Sequence, residues 1–335
     1  MSDDLEPMSP HEGMKRFLAH RESGVSESTY RNNQTTLEQF VAWCSDNEID
    51  NLNHLTGRDL SQFVAYRRSK VKPITLQKNL SAIREFLAFC ADIEAVRDGL
   101  NEKVHAPELP DGAEARDIML EPEAAETALD HMDKFDYASR DHVILLLLWR
   151  TGMRRGALRS LDLDDLRPDD HALELQHRPE TDTPLKNGEK GERWVWLGPV
   201  SYQVLEDYVN TNRHDKVDDH GREPLITTIQ GRPHVTTITD AVNRITQPCH
   251  YGECPHARNP EICEAFGQAS VPAKCPSARS PHAVRRGAIT THLNEGTPPE
   301  IVSERMNVSL DVLYRHYDAR SSREKMAVRK EHLSE

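Results

Sequence analysis

The stretch from Asn101 to Asp117 constrains this chain most. It holds Pro107, Pro110 and the turn pair Asp111-Gly112, and its apolar residues recur at neither helical nor strand spacing. A chain of 335 residues broken in this way has to build two cores, a small one before the break and a larger one after it. The expected organisation is a first unit over residues 1–105, a linker over 106–116 and a second unit over 117–335.

The first unit reads as all-helical. Tyr30, Leu37, Phe40, Val41 and Cys44 recur at three- and four-residue spacings and predict a helix over 29–44. Thr56 followed by Asp59 is a capping pair for a second helix carrying Leu60, Phe63, Val64 and Arg67. A third helix, from Thr75 to Phe89, follows Lys72-Pro73. Cys44 and Cys90 fall in the apolar stripes and are expected in the core.

The second unit mixes helices with a little sheet. Helices are expected over 122–132, 139–150 and 201–209 and in the last fifty residues. Segments 172–177 and 193–197 alternate as strands, so they predict an antiparallel hairpin whose tip, Lys186 to Gly191, is flexible and bears lysine. The fold class is therefore mainly α: a helical N-terminal domain, then a mixed α/β domain with a small antiparallel hairpin sheet. The longest apolar run, Val143–Trp149, makes about two helical turns and suits a buried helix, not a membrane span. The first residues are acidic and polar, with no secretory pattern, so a cytoplasmic protein without membrane association is expected.

Formal net charge is −13, which argues against a polyanionic partner until its distribution is considered. Between Arg58 and Arg84 stand Arg58, Arg67, Arg68, Lys70, Lys72, Lys78 and Arg84 against Asp59 alone. Between Ser270 and Asn294 stand Lys274, Arg279, Arg285 and Arg286 with no acid. Acids gather elsewhere, as at Asp162, Asp164, Asp165, Asp169 and Asp170. Two basic islands on an acidic body suit a protein that grips nucleic acid at defined faces. Charge alone leaves solvated helix faces as the competing explanation.

Four segments hold residues whose chemistry fits together. Thr151-Gly152-Met153-Arg154 closes the most apolar helix, where a glycine C-cap followed by a solvated arginine pair is the plain alternative. Lys186 sits on the hairpin tip. Ser280-Pro281 opens a helix that places His282 and Arg285 on its first turn, where an anion is favoured. Tyr317 closes Leu313-Tyr314-Arg315-His316-Tyr317. In this order and spacing the set resembles the tyrosine recombinases, the phage integrase family, and the helical first unit is similar to that family's core-binding domain.

The resemblance implies a site-specific recombinase or integrase that cleaves and rejoins double-stranded DNA through a 3′-phosphotyrosyl intermediate. It implies a dimer on each DNA site, a tetramer on paired sites, and catalysis that requires no cofactor. Arg154 and Arg285 would hold the charge that builds on the nonbridging phosphate oxygens. Tyr317 would be the nucleophile, Lys186 the proton donor to the departing 5′ oxygen, and His282 an acid/base or phosphate ligand. Lys190 competes with Lys186, and Tyr314 with Tyr317; a helix starting near Ser309 would let Tyr314 pack.

The chain departs from the family pattern at three places. Ala157 stands where relatives carry an acid, Arg286 where they carry a second histidine, and Val308 where they carry His or Trp. Val308 cannot donate to phosphate, so Asn307 or Arg286 would have to serve. A DNA-binding regulator on a catalytically weakened recombinase fold is accordingly the alternative. Lastly, Cys249, Cys254, Cys263 and Cys275 fall in a loop over 248–276, an insertion in the second unit. Four such thiols suggest structural zinc, with free loop thiols as the alternative, and a zinc-centred nucleic-acid protein is a third possibility for function.

Overall fold

The computed structural model describes residues 5–22, 24–107, 118–267 and 271–316, with 323, 326 and 330. The chain divides into two compact units, Met1–Arg116 and Asp117–Glu335. From residue 108 onward, the linker expected over 106–116 lies outside the described residues.

The first unit is built from α1 (Pro10–Arg21), α2 (Glu27–Asp46), α3 (Gly57–Arg68) and α4 (Pro73–Asp92). Thr56 and Asp59 form the reciprocal cap that starts α3, each side chain accepting from the other's backbone N–H. Apolar stripes from all four helices meet in one core, where Phe40 and Phe63 stand edge to face at 5.0 Å and 85°. Cys44 and Cys90 lie inside it, and burial pushes both thiols up to about 12. The basic island is not all surface. Arg67 is buried and donates to Asn79 Oδ1 at 2.9 Å, and Arg84 Nε donates to the Val104 carbonyl at 2.9 Å. Arg58, Arg68, Lys70, Lys72 and Lys78 are exposed.

The second unit is organised around the apolar run. That run forms most of α6 (Arg140–Thr151), which packs against α5 (Pro122–Phe135), α7 (Arg155–Ser160), α8 (Pro199–Asp207), α9 (Val235–Ile245) and α10 (Pro281–Asn294). Residues from Val143 to Trp149 are all buried, and each such large aliphatic side chain contributes roughly 1.5–3 kcal/mol on leaving water. Close approach of α10 depends on Gly287, where a Cβ would stand 2.1 Å from the Leu120 carbonyl oxygen and 2.8 Å from the Trp149 ring. A helix was not expected over α9, because its threonine-rich start has modest helix propensity; burial of Ile238, Ala241, Val242 and Ile245 fixes it.

The sheet has three antiparallel strands in the order β1 (Leu166–Arg167), β2 (Ala172–Leu175), β3 (Arg193–Trp196). Leu173 pairs with Val195 and Leu175 with Arg193, which leaves Trp194 and Trp196 on the exposed face. The two-residue β1 is too short to show an alternation and was not anticipated. Nor do the acids before it all face water. Asp162 and Asp165 are buried and paired with Arg178, Arg222 and Arg232, the Arg232 contact to Asp162 being 2.5 Å.

The last named elements among the described residues are α11 (Pro299–Met306) and α12 (Leu310–His316). A second small core of Ile289, Leu293, Val302, Met306, Val308 and Leu313 ties both to α10. Among the described residues, no helix is long and apolar enough to cross a membrane.

Candidate active site

The site is organised by the turn that ends α6. Thr151 Oγ1 donates back to the Leu147 carbonyl and accepts from the Met153 amide, and Gly152 adopts φ 58° as C-cap. No side chain fits there, since a Cβ at Gly152 would meet Met306 Sδ at 2.5 Å. The turn delivers Arg154 as the N-cap residue of α7, with Nη1 donating to the Asn307 carbonyl at 2.9 Å. It is therefore not a solvated arginine.

Arg285 arrives at the same place from α10. It is only 3% exposed, and its Nη1 donates to the carbonyls of Gly152 at 2.6 Å and Met306 at 2.7 Å. Its Nη2 reaches the Asn307 carbonyl at 3.4 Å. Two guanidiniums 131 positions apart in sequence thus converge on two successive carbonyls. Asn307 caps α11 at φ 50° and ψ 61°, a left-handed conformation that asparagine tolerates better than most residues.

His282 stands exposed on the first turn of α10, whose N-cap Ser280 accepts from the Ala283 amide at 3.4 Å. Loss of solvent around the ring, then the charges of Arg285, Arg286 and Arg154, lower its pKa below the usual histidine value. The imidazole is neutral near pH 7 and able to accept a proton.

The hairpin tip meets the same segment. Asn187 Nδ2 donates to Asn307 Oδ1 at 2.8 Å, and a Cβ on Gly191 would stand 3.0 Å from Asn307 Nδ2. Lys186 is exposed beside Asn187, and Lys190 is exposed in the 3-10 turn Gly188–Gly191. Arg154, Arg285, His282 and the Lys186 turn are accordingly brought together. Tyr317 lies outside the described residues. Tyr314 is 42% exposed on α12 and does not pack as anticipated; Leu313 is the residue that does.

Sequence reading missed the arginines behind the cradle. Arg193 Nε donates to the Arg305 carbonyl at 2.7 Å and its Nη1 to the Gly191 carbonyl at 2.7 Å. Burial, then Arg154 and Arg305, lower its pKa to about 10. Arg305 Nη2 in turn donates to the carbonyls of Arg150 at 3.0 Å and Trp196 at 2.8 Å. One signal was legible: Arg193 lies two residues before Val195, on the inward face of β3. At the positions that depart from the family pattern, Ala157 and Val308 are both buried. All six cysteines are free thiols, and among the described residues no three His, Cys, Asp or Glu side chains form a group that could hold a metal ion as they stand.

A model of the phage integrase N-terminal SAM-like domain matches residues 14–92, which include most of α1 and all of α2, α3 and α4. The N-terminal domain of a phage integrase/site-specific recombinase from Haloarcula marismortui is 33% identical, over 30% of this chain and 99% of that one, with a TM-score of 0.30. The Tn1549 transposon integrase, solved with transposon right end DNA, is 15% identical over 97% of this chain and 99% of that one, with a TM-score of 0.66. Residues 14–92 belong to the phage integrase N-terminal domain family, and the chain as a whole has the fold of the tyrosine recombinases it matches.

A lambda integrase dimer bound to a COC′ core site also matches, at 13% identity over 96% of this chain and 80% of that one, with a TM-score of 0.65. At such identities these matches show a shared fold, and nothing beyond the fold, for the second unit. No curated protein matches the chain by sequence.

Proposed function

We propose that this tyrosine recombinase relative is an active site-specific recombinase that breaks and rejoins double-stranded DNA, with Tyr317 as nucleophile. The observation that carries the reading is the convergence of Arg154 and Arg285 on the Met306 and Asn307 carbonyls, with His282 at their edge. Neutral carbonyl acceptors orient both guanidiniums toward one point, and a phosphodiester seated there would meet donors aimed at its nonbridging oxygens.

In the proposed step the Tyr317 phenol oxygen attacks phosphorus and gives up its proton to neutral His282 or to water. The bond to the 5′ oxygen breaks, and that oxygen takes a proton from Lys186. A 3′-phosphotyrosyl ester stores the bond, and attack by a 5′ hydroxyl reverses the step, so neither ATP nor metal is needed. The exposed residues Arg58, Arg68, Lys70, Lys72 and Lys78 would hold the flanking phosphates. Two chains would occupy a site and four would join paired sites.

A second reading has an observation of its own. Val308 is 5% exposed and packed among Ile289, Leu293, Val302 and Met306, so this position offers phosphate no donor. A DNA-binding regulator on this fold would keep the grip and lose the chemistry.

The test begins by selecting a target from random duplexes by binding, then placing a nick in it so that cleaved product cannot be religated. A covalent protein–DNA adduct is expected from the native chain and from Tyr314→Phe, and none from Tyr317→Phe. Tight binding without any adduct from the native chain supports the regulator. An adduct that survives Tyr317→Phe removes the nucleophile assignment.

A further inference from the structure

Between α9 and α10 the chain runs from Thr246 to Ser280 with only short 3-10 turns, at Pro248–His250, Pro260–Ile262 and Pro272–Lys274, among its described residues. A connection of that length without helix or strand is uncommon in a compact domain. Its own core is slight: beyond Gln247, the buried described residues of the loop are Ala265, Pro272 and Cys275, while Ile262 and Val271 face water. Apolar burial on this scale does not offset the entropy of ordering such a segment.

Four thiols are what the segment does have. Cys249 and Cys254 are hydrogen-bonded thiol to thiol, and Cys263 and Cys275 are near enough for their charge to act on Cys249. The Cys254 sulfur also accepts from the backbone N–H groups of His256 and Arg258. Cys254, Cys263 and Cys275 each open a reverse turn, their carbonyls accepting from Ala257 at 3.1 Å, Phe266 at 3.0 Å and Ala278 at 3.1 Å. Of the two nearby histidines, only His256 has a hydrogen-bond partner on its ring. His256 Nε2 lies 2.9 Å from Ser277 Oγ, while the His250 ring, its buried Nε2 without a hydrogen-bond partner, lies tilted 4.7 Å from Phe266 and lines a cavity of about 230 Å³ with His131 and Arg244.

We propose that Cys249, Cys254, Cys263 and Cys275 bind a structural zinc ion that braces the approach to α10. As they stand, no three of the described His, Cys, Asp and Glu side chains form a metal-holding group. Binding therefore requires the Cys263 and Cys275 side chains to turn toward the Cys249–Cys254 pair. Each thiol that ligates releases its proton to solvent, and four sulfurs fill a tetrahedral site with no position left for substrate. The consequence for the active site is mechanical. Thr246 Oγ1 accepts from the Arg279 amide at 2.8 Å, so the two ends of the segment already meet one residue before the N-cap of the helix bearing His282 and Arg285.

Elemental analysis and a cobalt titration of the full chain test this, with folding followed by circular dichroism. The native chain is expected to carry about one zinc per chain. After chelation, Co²⁺ alone should restore the visible bands and near-ultraviolet thiolate charge transfer of a tetrahedral sulfur site. Cys254→Ser should lose or shift those bands, whereas Cys44→Ala should keep them. A folded native chain that neither contains zinc nor develops the cobalt spectrum would overturn the proposal, as would mass loss showing the four thiols joined as disulfides. The native-chain titration stands even if a variant does not fold. None of these readouts involves DNA, so failure here is distinct from failure of the recombinase reading.

Discussion

Gly152 shows how one residue sets the site. Its positive φ and its contact with Met306 are both incompatible with a side chain, so Gly152→Ala should destabilise the second unit by roughly 1–3 kcal/mol, read as a lower urea midpoint. His282 supplies a second prediction at this scale. Its pKa, followed by NMR, should lie below the ordinary value of about 6.5 and rise toward it in Arg286→Ala, because a neighbouring positive charge is removed. The sign for stability comes from proton uptake. As pH falls through about 6.5 the unfolded chain takes up a proton that the folded chain resists, so folding weakens on acidification and His282→Asn should flatten that slope. The helix boundaries that carry Arg154, His282 and Arg285 were legible from Gly152 and from Ser280-Pro281, whereas the grouping of the three residues came from the family resemblance alone. The carbonyl acceptors at Met306 and Asn307 were not legible, because backbone groups leave no mark in a sequence and the pairing spans over a hundred residues.

Elements with strong local signals were also the ones read correctly. The Thr56–Asp59 cap fixed the start of α3, and Ser139 and Ser280 fixed those of α6 and α10. Tertiary burial decided the rest: α9 is helical despite its threonines, and β1 exists only because β2 offers it a ladder. Long-range ties also reshape the hairpin tip. Expected as a flexible turn, it is hydrogen-bonded to the α11 cap through Asn187 and Asn307. Asn307→Gly keeps the left-handed backbone and its carbonyl but removes this tie. If the tie positions Lys186, adduct formation on the nicked duplex should slow by roughly tenfold to a hundredfold with binding retained. An unchanged rate would leave the tie without a role in the chemistry.

For the whole molecule, the issue is how a chain of formal charge −13 would hold the polyanion proposed as its partner. Part of the answer is that sequence overstates the basic surface, since Arg67 and Arg84 are spent on internal acceptors, and overstates the acidic one, since Asp162 and Asp165 are buried in ion pairs. The exposed residues of the first unit should carry the electrostatic contact. Replacing both Lys72 and Lys78 with Gln should reduce the slope of log affinity against log salt by about 2, at roughly 0.9 per phosphate released. The claim beneath all of this is that Arg154 and Arg285 grip a single scissile phosphate. The most direct measurement is the single-turnover rate of adduct formation by Arg154→Lys at saturating protein on the selected nicked duplex. A point charge cannot reproduce the planar fork, so the account predicts binding close to native and a rate lower by about a hundredfold or more. Adduct formation at the native rate by this variant would contradict it.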